Sequence, residues 1–350
     1  MRKCSTCGVP IKLTRELEWS DKGTLQQRKQ YANRMVFYKS DNIDSLFSEI
    51  ERLIGISVER IVVERKRRDT GEFVEEMMPV WLRRMMRKKG MSIMVKQMLH
   101  TGTMFGFGRI RLAAKRVKLD DDDFISVDVE NPHSLLFFCG EVLGAWEAVQ
   151  GRESQIDYED LGGNTYRLTC HIGKHPIELK ERLTDIEYPE SPVDFTWERC
   201  PACGTPMEVS RYNWDLDKGI ITSLDTGRRM SMIRPDGIDS IMRDLETELG
   251  EEIRDTTVKA QKIYTKKALS DLEYRQDIDG FRRMLAFRGL GYLSEMDLSE
   301  RGLRVVLKNY CMPLIMTGIL QAFYELNIGT EETSYNWSES QGDLIIEISR

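Results

Sequence analysis

The chain has 350 residues, 41% hydrophobic and 31% charged, with 51 Lys and Arg against 57 Asp and Glu and a formal net charge of −6. This is ordinary globular composition, long enough for two or three domains, and its acidic balance argues against wholesale nucleic-acid binding. No run approaches the roughly 18 apolar residues of a membrane span. The start, MRKCSTCGVP, lacks the apolar stretch of a secretory leader, so seven cysteines read as reduced thiols or metal ligands in a cytoplasmic protein.

The first element is a knuckle, Cys4-x-x-Cys7-Gly8-x-Pro10, followed by two short strands that turn at Lys22-Gly23. An amphipathic helix is predicted from Ile43 to Ile54, with Asp41 as its N-cap. A longer helix is predicted over Val74 to Leu99, within a segment that carries Met77, Met78, Met85, Met86, Met91, Met94, Met98 and Met104. Strands follow at Gly108–Ala113 and Phe124–Val129, where Ile125-x-Val127-x-Val129 alternates cleanly. A helix at Ser134–Val149 and a hairpin of Ser154–Tyr158 and Thr165–Cys170 complete this part.

The same order then starts again. Cys200, Cys203, Gly204 and Pro206 repeat the knuckle, and Asp217-Lys218-Gly219 repeats Asp21-Lys22-Gly23. Ile238-Asp239-Ser240 repeats Ile43-Asp44-Ser45 and opens a helix to Leu249. Helical sequence with breaks covers Glu251 to Arg288, a shorter middle than in the first copy. Gly289-x-Gly291 then matches Gly106-x-Gly108, while Asn309, Gly318, Glu325 and Gly329 match Asn131, Gly140, Glu147 and Gly151. Such ordered matches indicate internal duplication. The expected division is 1–171, a connector at 172–197, and 198–350. Blocks of helices and antiparallel hairpins give an α+β class, with the two copies forming a pseudo-dimer.

The second half of each copy resembles the 4-vinyl reductase family of hydrocarbon-binding domains. The shared order is a Gly-x-Gly before a strand, a strand ending at Asn131 or Asn309, an apolar helix with an early Gly140 or Gly318, and a hairpin with Gly163 or Gly342. The resemblance implies an α+β domain that pairs with a second copy and encloses an apolar pocket. Met85, Met94, Met98, Phe105, Phe107, Phe137 and Trp146 are the candidate lining in copy one, with Met284, Phe287 and Tyr324 in copy two. Methionine suits a changeable apolar surface, although a Met-rich core would show the same pattern.

Two Cys-x-x-Cys knuckles point to zinc, because the spacing lets two thiolates face one ion and the glycine permits the tight turn. Four ligands are needed. Either Cys4, Cys7, Cys200 and Cys203 share one site, or each knuckle recruits others such as Cys170, His171 and His175, or two chains share sites. An iron–sulfur cluster on the same thiolates is the chemical alternative. The basic run Arg65-Lys66-Arg67-Arg68, with Arg83-Arg84 and Arg87-Lys88-Lys89, could hold an anionic ligand head or touch nucleic acid, but it is interleaved with acids and reads first as a solvated, ion-paired helix face. Asp120–Asp123 reads as an exposed turn, since the ordered spacing of a calcium loop is missing. No phosphate loop, nucleophile elbow or His-Glu-x-x-His occurs.

The leading expectation is therefore a non-enzymatic protein that senses, sequesters or delivers a hydrophobic small molecule. The alternatives are a zinc-ribbon regulator that docks a partner or nucleic acid, and an enzyme's accessory subunit carrying a metal cluster or tetrapyrrole. A homodimer of the whole chain is also open.

Overall fold

The computed structural model describes residues 1–28, 33–89, 91–175, 186–268 and 278–350, and the side chains of 88–94 lie outside what it describes. The fold is α+β, and the chain divides into two compact units. The first comprises Met1–Ile56, Asp185–Asn213 and Thr222–Arg350; the second comprises Ser57–Thr184 and Trp214–Ile221.

In the first unit the knuckle leads into helix α1 (Ile11–Glu16) and the hairpin β1 (Leu17–Trp19) and β2 (Leu25–Gln27). Strand β3 (Arg34–Lys39) runs straight into α2 (Ser40–Ile54). Because no loop separates them, the N-cap position falls on Lys39 without a side-chain cap. Asp41 instead sits in the first turn, where its charge suits the helix dipole and pairs with Arg228 at 2.8 Å. Strands β8 (Tyr212–Asp215), β9 (Ile220–Ser223) and β10 (Arg229–Ile233) join this sheet in the order β1-β2-β3-β10-β9-β8. Helix α7 (Pro235–Leu249) starts with proline at its first position, where the missing N–H costs nothing.

The expected helical stretch after Leu249 is α8 (Ile253–Ala268) and α9 (Ile278–Phe287), with 269–277 outside the described residues. A four-stranded antiparallel sheet follows: β11 (Tyr292–Ser299), β12 (Gly302–Lys308), β13 (Ser334–Ser340) and β14 (Asp343–Ser349), in the order β11-β12-β14-β13. The apolar helix α10 (Pro313–Ile328) lies between β12 and β13 in sequence and packs on α8.

The second unit has the same sheet order, built from β4 (Arg109–Arg116), β5 (Phe124–Glu130), β6 (Ser154–Gly162) and β7 (Thr165–Ile172), ordered β4-β5-β7-β6. Helix α6 (Leu135–Gln150) is apolar nearly all round, which marks a buried helix. Ser134 caps it, its hydroxyl accepting from the Phe137 N–H at 3.1 Å. Trp146, Leu143, Val127, Val129 and Leu168 are among the residues that form the core beneath it.

The predicted helix over Val74–Leu99 is instead three: α3 (Glu59–Met77), α4 (Val80–Lys89) and α5 (Met91–Phe105). Pro79 explains the first break, since the preceding Met78 is forced into extended backbone, φ −127° and ψ 114°. The expected solvated basic face on α3 is also corrected. Arg65, Lys66 and Arg68 are buried, with Arg65 pairing Asp69 at 2.9 Å and Lys66 pairing Glu141 at 3.7 Å. Helix α3 is buried because α6 crosses it at glycines. A Cβ on Gly144 would lie 2.1 Å from the Arg67 carbonyl oxygen, and one on Gly140 would lie 2.5 Å from the Lys66 Cβ. At that separation the α3 charges are drawn out of water, so each needs a partner. Asp120–Asp123 is a turn pinned by Arg116 and by the Lys118 and Leu119 N–H groups on the Asp123 carboxylate. Among the described residues, no helix is long and apolar enough to cross a membrane.

Candidate metal centre and ligand pocket

Both knuckles close by the same pair of backbone bonds. The Cys4 N–H donates to the Val9 carbonyl at 2.8 Å and the Gly8 N–H to the Cys4 carbonyl at 3.0 Å. In the other knuckle the Cys200 N–H reaches Thr205 at 2.7 Å and the Gly204 N–H reaches Cys200 at 2.8 Å. Gly8 and Gly204 both have φ +75°, and a Cβ at either would meet nothing within 4 Å. The turn therefore requires glycine for its backbone conformation and not for space.

The two knuckles face each other within the first unit. Cys4 and Cys200 sulfurs are 3.9 Å apart, Cys7 and Cys203 sulfurs 3.4 Å, and all four lie within 4.8 Å of one another. A metal–sulfur bond of about 2.3 Å in a tetrahedron requires sulfurs about 3.8 Å apart, so the cage has the right size for one ion. Cys4, Cys7 and Cys200 are buried, and Cys203 is partly so. A backbone N–H at Cys7 brings the Cys4 thiol down to about 6, whereas burial pushes the Cys7 thiol up to about 12. Burial disfavours ionising such thiols together without a cation among them, and the four sulfurs are placed so that they could hold a metal ion. Among the described residues this is the only cluster of three or more Cys, His, Asp or Glu placed for a metal. Of the three ways of completing four ligands, the structure brings together the shared set.

The second unit contains a groove of about 580 Å³ between the start of α3, the middle of α6 and strand β6. Val63, Cys139, Leu143 and Ile156 form its apolar floor, and Arg60, Lys174 and Glu59 lie among its polar lining. At its inner side sits a buried charge cluster. His175 Nδ1 lies 3.1 Å from Glu64, its Nε2 bonds Glu147, and Arg67 bridges the same two carboxylates at 2.9 and 2.7 Å. Burial alone would lower His175, but the two glutamates outweigh it and bring it up to about 9. Burial would raise Glu64, yet His175 and Arg67 hold it below the ordinary carboxylate range. Two cations and two anions thus neutralise each other inside the fold.

The lining residues named from sequence for the two copies lie in different surroundings. Met85 is 65% exposed, and Met94 lies outside the described side chains. Met98 and Phe107 pack partly buried on the second unit's core, with Phe107 stacked 4.1 Å from His133. Phe105, Phe137 and Trp146 are buried, the last donating its Nε1–H to Ser154 at 3.0 Å. In the first unit Met284 borders a cavity of about 40 Å³, together with Phe281 and Phe323. Phe287 stacks on Trp19 at 5.7 Å, and Tyr324 is fully buried with its hydroxyl donating to the Glu300 carbonyl. The groove gave no signal in the sequence because its residues come from four separated segments, which only the fold brings together.

No model of a known protein family matches the chain, and no curated protein matches it. Solved structures to which it is similar include the phenol-responsive sensory domain of the transcription activator PoxR with phenol. There the identity is 15%, covering 46% of this chain and 87% of that one, at a TM-score of 0.35. A mutant of H-NOX from T. tengcongensis is 13% identical over 33% of this chain and 74% of that one, at a TM-score of 0.25. A structure bearing on the mechanism of H-NOX activation is 15% identical over 39% and 80%, also at 0.25. The chain is similar to each of these over less than half its length.

Proposed function

We propose that the chain is a non-enzymatic binding protein that senses, sequesters or delivers a hydrophobic small molecule. In this reading two copies of a 4-vinyl-reductase-like module pair within one chain, and structural zinc on Cys4, Cys7, Cys200 and Cys203 ties the two knuckles. The observation that carries the reading is the groove of about 580 Å³ in the second unit, a size typical of small-molecule sites. Val63, Leu143 and Ile156 offer an apolar ligand its contacts in an open groove whose remaining lining is largely polar. At about 25 cal/mol per Å² of apolar surface removed from water, that burial drives binding before ordering costs are subtracted. A cavity in the first unit, between α2, α8 and α9, offers about 40 Å³, room for little more than water, and is not proposed as a ligand site. The shared sheet order and the paired Gly140/Gly318 and Glu147/Glu325 positions support duplication.

The test is displacement of an environment-sensitive dye from the full chain by a panel of fatty acids, alkanols and alkylphenols. Saturable displacement at one site per chain, lost when Leu143→Trp fills the groove, is the expected result. A chain that binds no member of the panel, or a Leu143→Trp variant that binds as the parent does, sinks the proposal. For the metal, elemental analysis should find one zinc per chain; iron with visible colour would replace zinc by an iron centre.

A further inference from the structure

Helix α4 carries a surface that the ligand reading does not use. Trp81 is 66% exposed, Met85 65%, Val80 54% and the neighbouring Met77 51%. Trp81, Arg84 and Met85 are spaced i, i+3 and i+4, so they share one face, and Arg84 is exposed with no ion-pair partner among the described residues. The opposite face is anchored: Arg83 donates to the Ala148 carbonyl at 3.1 Å, Arg87 to the Val149 carbonyl at 3.2 Å, and Gln150 to the Arg87 carbonyl. The outward stripe is thus held in place by the unit it projects from.

The sequence through α4 is one-sided in charge, with Arg83 and Arg87 committed to the anchored face and Arg83 also paired with Glu75. In a chain of 57 acidic residues, none lies between Glu76 and Asp120. Arg83, Arg84, Arg87, Lys88, Lys89 and Lys96 all fall in the first half of that interval. Exposed aromatic and aliphatic side chains on a cationic helix fit an anionic surface that yields to them. A symmetric contact with a second copy would set Arg84 and its neighbours against their own like charges. Nucleic acid would satisfy the cations but leave Val80, Met77 and Met85 without a partner.

We propose that the exposed face of α4 docks the protein on an anionic phospholipid bilayer, with Trp81 and Met85 entering the interface and Arg84 meeting lipid headgroups. The protein lies on the membrane and does not span it.

The experiment is co-sedimentation of the full chain with phosphatidylcholine vesicles, with and without about 30 mol % phosphatidylserine. Binding only to the anionic vesicles is expected, weakening as salt rises from about 0.1 to about 1 M and the screening length falls from about 10 to about 3 Å. Arg84→Gln should lower the affinity roughly five-fold, the effect of one surface cation. The pair Trp81→Ala with Met85→Ser should lower it by about ten-fold or more, with thermal stability unchanged because both side chains are exposed. Brominated lipid should quench part of the tryptophan emission in the parent and not in Trp81→Phe. Failure to sediment with either vesicle overturns the proposal, as does a Trp81/Met85 variant that sediments like the parent. So does a chain that binds single-stranded RNA or an acidic peptide in place of vesicles.

Discussion

Two glycines at one helix crossing should respond to alanine in opposite directions. At Gly144 of α6 the added Cβ would lie 2.1 Å from the Arg67 carbonyl oxygen, 1.3 Å short of the 3.4 Å at which ordinary contact begins. The Arg67 carbonyl carbon and the Gly71 nitrogen would both be 3.0 Å away. All three atoms are backbone, so no side chain can swing clear and the two helices must separate. Overpacking of this kind costs about 1–3 kcal/mol, and the severity of the clash puts it near the top. Alanine returns about 1 kcal/mol through helix propensity, leaving a net loss of about 2 kcal/mol. At Gly71 of α3 the added Cβ would meet only the Gly144 carbonyl, at 3.8 Å. There the propensity gain stands alone, and Gly71→Ala should stabilise by about 0.5–1 kcal/mol. Urea unfolding followed by far-UV circular dichroism, with hydrogen exchange of the α6 amides, reads both variants. A Gly144→Ala variant as stable as the parent would refute the close crossing. Equal shifts at the two positions would show that propensity alone governs both.

His175 lies between Glu64 and Glu147, and its pKa is brought from 6.5 up to about 9. Its stabilisation is therefore complete below about pH 6.5 and fades as pH rises through about 9; urea midpoints should fall across that window and flatten in His175→Gln. Glu325 is buried against the half-buried Lys262 at 3.0 Å and Lys266 at 2.6 Å, so Glu325→Gln should destabilise the first unit by about 1.5–3 kcal/mol through loss of its charge-assisted bonds. A thermal melt unchanged from the parent would count against that. Cys200→Ser should release the metal and lower the melting temperature as far as a strong chelator does in the parent; additive effects of the two would mean that they act at different places.

The clustering of the four cysteines was legible because their pattern is local. A Cys-x-x-Cys-Gly knuckle states its own turn, and the second copy of the pattern pointed to its partner across the chain. Helix α6 was legible for a similar reason, since Leu135-Leu136-Phe137-Phe138 after a capping Ser134 leaves little choice but burial. The charged helix α3 was not legible. Arg65, Lys66 and Arg68 look solvated in isolation, and only Gly140 and Gly144 on another helix bring them out of water. Met85 misled in the opposite sense. Methionine reports apolar character but not which way a helix faces, and the anchoring of Arg83 and Arg87 to the end of α6 turns Met85 outward.

Within the first unit, the position of the four cysteines gives a bound ion more than local weight. Cys4 and Cys200 are 196 residues apart in sequence, yet their sulfurs are 3.9 Å apart. An ion held by both knuckles closes a chain loop of that length. By the chain-entropy relation for a cross-link, such a closure removes about 5 kcal/mol of freedom from the unfolded chain. Each knuckle alone has two thiolates and a self-contained turn, so neither needs the ion to fold locally. What the ion adds is the pairing. It would hold together two segments that the chain synthesises far apart, in the unit that also carries Trp19, Phe287 and Tyr212, whose rings stack at 5.7 and 5.5 Å. That aromatic stack is drawn from three distant stretches of chain and has no local sequence to enforce it. A cross-link at the knuckles removes much of the entropic cost of assembling it, which is a sufficient physical reason for two buried cysteine pairs to occur in a chain that is not otherwise stapled.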